Sequence, residues 1–125
     1  MIVLDTDVLI EILDKKSEKG SQAFDRLLES GEEVTTTSIN LHEILYGLQK
    51  YGKPVQEILQ LPVLAYRASD AELSSRLELE AERTGTPIRR TDAMIAAITM
   101  NNEATLFTFD QKHFIPLETQ GLKLH

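Results

Sequence analysis

Six consecutive residues, Ala93-Met94-Ile95-Ala96-Ala97-Ile98, are apolar. A helix that is apolar almost all round is covered on most of its sides. The run is far short of the roughly 18 residues that a membrane span requires. It therefore predicts a helix at the centre of a layered domain. Short β-rich runs supply the second layer: Ile2-Val3-Leu4, Val34-Thr35-Thr36-Thr37, Val63-Leu64-Ala65-Tyr66 and Thr105 to Phe109 read as strands, with Leu122-Lys123-Leu124 as a weak terminal one. Between them, apolar residues recur at helical spacing. Val8, Leu9, Ile12 and Leu13 predict a helix that Thr6 or Asp7 would cap, and Ala23, Phe24, Leu27 and Leu28 predict one ended by Gly31. Leu41, Ile44, Leu45 and Leu48 mark a third, and a short helix around Ile58 ends at Pro62. A long helix buries Leu73, Leu77 and Ala81 and stops at Gly85-Thr86-Pro87. The alternation predicts one α/β domain over residues 1–125, with a central, mostly parallel sheet of four to five strands flanked by helices.

Composition narrows the function. Thirteen Lys and Arg against twenty Asp and Glu leave a formal charge of −7, the wrong sign for a nucleic-acid coat protein. No cysteine is present, which excludes a disulfide framework, a thiolate zinc site and a cysteine nucleophile. An acid at the fifth residue and the lack of a basic flank do not fit a signal peptide. The expectation is a soluble cytoplasmic domain without membrane attachment.

The position of the acids carries more information than their number. In open parallel sheets, ligands bind beyond the carboxyl ends of the strands, where strand order reverses. Asp5 closes the first strand and Asp110 the fourth. Glu43 lies one turn into the helix after the second strand, and Asp92 opens the apolar helix. Each has a local explanation. Asp5 and Asp7 suit a helix cap, Asn40 and Glu43 have capping-box spacing, Asp92 suits a helix dipole, and Asp110 suits a cap for the turn after it. Together they fall at one edge of the predicted sheet. Two carboxylates about 4 Å apart repel by roughly 4 kcal/mol at an effective dielectric of 20, so convergence calls for a cation. All-oxygen ligation suits Mg²⁺ or Mn²⁺ and, with it, phosphoryl chemistry.

The motifs Leu4-Asp5-Thr6-Asp7-Val8-Leu9-Ile10, Ser38 to Gly47 around Glu43, Thr91-Asp92-Ala93-Met94-Ile95-Ala96-Ala97 and Thr105 to Phe114 around Asp110 resemble those of PIN domains, specifically VapC-type toxins. That resemblance implies an Mg²⁺- or Mn²⁺-dependent endoribonuclease, usually dimeric, silenced by a small VapB-type antitoxin and leaving 5′-phosphate and 3′-hydroxyl products. It implies that Asp5, Glu43, Asp92 and Asp110 are catalytic metal-site acids, with Asp5 and Asp92 the direct ligands. Thr6 and Thr108 match hydroxyl positions that orient water or a carboxylate. Asp7 departs from the Asn or Ser common among relatives, and either caps the first helix or reaches a second metal. Arg89 and Arg90 precede the Asp92 helix, where either phosphate contact or a solvated loop would explain them. Lys15, Lys16 and Lys19 form a small basic cluster that reads as a solvated helix end, and His42 and His113 lack the spacing of metal ligands.

Other classes fit less well. Asp5-Thr6-Asp7 mimics the Asp-x-Asp of HAD-type phosphatases, but Leu9 stands where Thr or Val is expected, and no later lysine and acidic pair can be placed. A receiver domain would carry a phospho-acceptor Asp directly after the third strand, and Val63 to Tyr66 has none. Within the PIN resemblance, a housekeeping RNA-processing nuclease and a non-catalytic binding module are the alternatives.

Overall fold

Ile2–Leu4 forms β1, every residue of which is buried, in a computed structural model that describes all 125 residues. Strands this apolar on both faces need cover on both sides. Ile2 and Leu4 point into one core with Val8, Leu27, Ile44, Leu48 and Phe107. Val3 points into the other with Leu77, Ile95, Ala96, Leu106 and Phe114. The strands β2 (Val34–Thr37), β3 (Val63–Leu64) and β4 (Thr105–Phe107) complete a parallel sheet of order β3-β2-β1-β4. Chain order therefore reverses between β1 and β4, and a ligand crevice is expected there.

Six helices surround the sheet: α1 (Thr6–Leu9), α2 (Glu18–Ser30), α3 (Ser38–Lys50), α4 (Ala68–Arg83), α5 (Arg90–Asn101) and α6 (Gln111–Glu118). The apolar run lies in α5, where Ala93, Ile95, Ala96, Ala97 and Ile98 are buried. α1 continues into a π-helical turn, Ile10–Asp14, instead of one regular helix through Leu13. α2 presses on that turn at Gly20, where a Cβ would lie 2.1 Å from the Glu11 carbonyl oxygen. Gly31 ends α2 in the left-handed region at φ 66°, as a glycine readily does.

Several local expectations change. The third strand is only Val63–Leu64, and the segment around Ile58 is a 3₁₀ turn. The terminal segment contributes a single bridge, Leu106 to Leu124. β4 ends at Phe107, so Thr108 and Asp110 are not paired on one strand face. No helix is long and apolar enough to cross a membrane.

Candidate active site

Asp5 follows β1 directly and is the N-cap of α1, so of the three cap candidates Asp5, Thr6 and Asp7 it is the first that serves. Its Oδ1 accepts the Thr6 N–H at 2.8 Å and the Asn40 Nδ2–H at 2.9 Å. Its Oδ2 accepts the Thr108 hydroxyl at 2.8 Å. Three donors would ordinarily favour the ionised form. Burial and, next, the charge of Asp7 overcome them, with Asp92 adding to the effect, so the carboxyl is pushed up to about 6. A partly buried carboxylate with good hydrogen bonds is thus raised first by its loss of solvent and then by its acid neighbours.

The donors come from elements that the fold brings to the β1–β4 crevice. Thr37, not Asn40, caps α3, with its Oγ1 accepting the Asn40 N–H at 3.2 Å. The expected Asn40–Glu43 capping box does not form. Asn40 is instead fully buried and donates from Nδ2 to both Asp5 and the Thr6 hydroxyl oxygen, the latter at 2.9 Å. Thr6 passes its own proton to Glu43 Oε1 at 2.8 Å. A chain of contacts therefore links exposed Glu43 to partly buried Asp5. Asn40 was legible only as a cap. Its distance of three residues from the end of β2, which returns its side chain toward the sheet edge, was the available signal.

Asp7 lies inside the first turn of α1 and caps nothing. Its Oδ2 accepts the Phe109 N–H at 3.1 Å and approaches the Thr108 hydroxyl at 3.4 Å. Its Oδ1 is buried without a hydrogen-bond partner. Burial raises the Asp7 carboxyl above the usual carboxylate range, and the nearby Asp110 contributes. Thr108, also buried, accepts the Asp110 N–H at 3.0 Å while its single proton serves Asp5. Asp110 starts α6 without capping it by its side chain, which is paired with His113.

Asp92 occupies the third position of α5, is buried, and forms a forked ion pair with Arg89: Nε to Oδ2 at 2.9 Å and Nη2 to Oδ1 at 3.4 Å. Arg90 parts company with its neighbour. Its guanidinium pairs with Glu78 of α4 at 3.2 Å, so it is engaged with a helix rather than with the acids. Lys15 and Lys16 pair with Glu11 and Glu57, and Lys19 stands 4.1 Å over the Phe109 ring.

No group of three carboxylate or imidazole side chains is gathered tightly enough to hold a metal as the side chains stand. The donor chemistry nevertheless fits a hard divalent cation. The set is all oxygen, Asp7 Oδ1 is an orphaned buried acceptor, and the charges of Asp7 and Asp92 both bear on Asp5. Asp5 and Asp92, with Glu43 and Asp110, are the residues that would hold such an ion.

The chain belongs to the PIN domain family, whose sequence profile matches residues 2–115. Its fold is also that of chains in solved toxin–antitoxin complexes. A chain of DNA-bound VapBC from Salmonella typhimurium superposes with a TM-score of 0.77 at 25% identity, covering 99% of this chain and 96% of that one. A chain of FitAcB from Neisseria gonorrhoeae gives 0.79 at 22% identity, covering 99% and 96%. A chain of VapBC2 from Rickettsia felis, bound to a promoter DNA fragment, gives 0.75 at 24% identity, covering 100% and 98%. Comparison with curated protein sequences returns no match.

Proposed function

We propose that this protein is a metal-dependent endoribonuclease acting as the toxin of a VapBC-type toxin–antitoxin pair. The observation that carries this reading is Asp5: a partly buried, hydrogen-bonded carboxylate raised to about 6 by desolvation and its acid neighbours, at the switch point of a PIN fold. A bound Mg²⁺ or Mn²⁺ supplies charge neutralisation at the scissile phosphate and a more acidic water. The chain's own groups do the rest. Asn40, Thr6 and Thr108 fix the Asp5 carboxylate by three hydrogen bonds, so its oxygens are in place before substrate arrives. Glu43, exposed and held by the Thr6 hydroxyl, is the acid placed to accept a proton from an attacking water. Asp110 is held against Thr108 through its backbone and against His113 through its side chain. No side chain needs to become a covalent intermediate.

The partner half of the proposal draws on a different surface. A groove of about 460 Å³ between α1, α2 and the segment before Pro62 is lined by Leu9, Ile12, Leu13, Phe24, Leu28 and Leu61. Phe24 and Leu28 are 48% and 65% exposed, more apolar surface than a solvated helix face needs. An antitoxin laying an apolar helix face there would cover them. The same reading expects a homodimer and a cytoplasmic location. Light scattering of the purified protein, alone and co-expressed with any small open reading frame found immediately upstream of its gene, tests both pairings.

The nuclease reading is tested by Mn²⁺ titration and by cleavage of a mixed RNA pool, comparing the wild type with an Asp5→Ala, Asp92→Ala double variant. The expected result is Mn²⁺-dependent cleavage by the wild type alone, with growth inhibition that the variant relieves. Unchanged metal affinity in the variant would remove these acids from the site. Retained metal binding without cleavage of any RNA would favour a binding module.

A further inference from the structure

Asp92 is 4% exposed, and Arg89 is the only protein group that hydrogen-bonds to its side chain. An unpaired buried carboxylate is strongly disfavoured, so this one depends on a single partner. That partner is easily moved. The Arg89 side chain is 66% exposed, and it stands at the N-cap of α5, where the helix dipole disfavours a cation. Helix formation therefore does not explain its position. The acids do. Asp92 binds it in a fork and is the main influence raising the Arg89 guanidinium above its ordinary range, with Asp110 and Glu43 adding to the effect. Arg89 thus touches Asp92 alone, through both arms of its fork, while the charges of Asp110 and Glu43 act on it from further off. Arg90, one residue away, faces Glu78 on α4.

We infer that Arg89 is the exchangeable counter-ion of Asp92: its forked ion pair holds the carboxylate in the metal-free protein and must open before a divalent cation can take both Asp92 oxygens. Metal affinity is then set by competition with a side chain of the same protein. Once displaced, the guanidinium remains beside the acids with its fork free for an anionic oxygen of the substrate, a geometry that Arg suits and Lys does not. Arg89 is thereby a positioning residue whose contact with Asp92 and role in metal loading exclude each other. The inference rests on the metal-site reading above.

Calorimetric titration with MnCl₂ tests it on the wild type, Arg89→Gln, Arg89→Lys and Asp92→Asn. Arg89→Gln is expected to bind Mn²⁺ about three- to tenfold tighter than wild type, the range for removing a competing charge-assisted pair. Arg89→Lys, which keeps the charge and loses the fork, is expected to fall between the two. Thermal melting provides an independent readout. Without metal, Arg89→Gln should melt below wild type, because Asp92 has lost its partner, and Mn²⁺ should raise its Tm by more than it raises that of wild type. A purely structural Arg89 would lower Tm without tightening Mn²⁺ binding. Equal or weaker Mn²⁺ binding by Arg89→Gln, with wild type binding and Asp92→Asn impaired, overturns the role of Arg89 and leaves the metal site standing. If Asp92→Asn binds Mn²⁺ as tightly as wild type, or if neither wild type nor Arg89→Gln binds it, the metal-site reading and the inference fall together.

Discussion

Two hydrogen-bonded acids, buried Asp70 and partly buried Asp5, make an instructive pair. Asp70 is 2% exposed and begins α4. Its Oδ2 accepts the Arg67 N–H at 2.8 Å and its Oδ1 accepts Asn101 Nδ2 at 2.8 Å. It ties the start of α4 to the end of α5, and its donors are a backbone amide and a neutral side chain. Asp5 is equally well supplied with donors, yet burial first, the charge of Asp7 next and that of Asp92 last push its carboxyl up to about 6. The number of hydrogen bonds therefore does not distinguish the two acids. Asp5 has acid neighbours in addition, which a fold tolerates only where something else compensates for them.

The largest test of that contrast is Asp5→Asn. It keeps the shape and the hydrogen bonds, since the Thr108 hydroxyl can turn from donor to acceptor. Mn²⁺-dependent RNA cleavage should fall by about a hundredfold or more, the scale for losing one preorganised electrostatic group. The metal-free Tm should hold or rise. A large drop in Tm would make Asp5 a second Asp70.

Acidity provides the next test. Mn²⁺ binding requires ionised Asp5, so affinity should fall about tenfold per pH unit below about 6. Stability of the metal-free protein should move the other way. The folded-state value lies above the unfolded one, so the Asp5 contribution is fully present below 3.8 and is lost as pH rises through about 6. Urea melts across that window check it, and Asp5→Asn should flatten the dependence.

Asp70→Ala should reverse the pattern. Leaving the Arg67 N–H and the Asn101 amide without their acceptor should cost about 1–3 kcal/mol by chemical denaturation. Mn²⁺ affinity at a permissive temperature should be unchanged. The smallest effect is expected for Arg90→Gln, which breaks an exposed pair with Glu78 away from the acids. Its Mn²⁺ affinity should stay within about twofold of wild type, as surface substitutions usually do. A clear change would place Arg90 with Arg89.

Much of the architecture was legible because it depends on local periodicity. The run Ala93–Ile98 marked a helix covered on most sides, and the alternation of strands and helices marked a parallel α/β sheet. The errors fall where local signals end. Thr105 to Phe109 has β-forming residues throughout, but β4 stops at Phe107 because the Asp7 carboxylate takes the Phe109 N–H. Asn40 and Glu43 have capping-box spacing, but Thr37 captures the Asn40 N–H first and frees both side chains for the β1 edge. Asp7 has the appearance of a cap and serves as a clamp on the segment after β4. At Phe109 and Asp7 a contact between segments far apart in the chain outcompeted the local one, and at Asn40 a nearer cap, Thr37, released the side chain to a distant partner.

By itself, the sequence determined the type and order of the elements, the absence of thiol chemistry, and the placing of acids after strands, because these follow from side-chain periodicity and composition. Tertiary structure alone decided the partner of each acid. It gave Asp5 two donors from distant segments, Asn40 and Thr108, left Asp7 Oδ1 without one, and sent adjacent arginines to different acids. Burial and like charge act through space and not along the chain. Whether a carboxylate is a cap, a clamp or a metal ligand is therefore settled only once the sheet has brought its neighbours together.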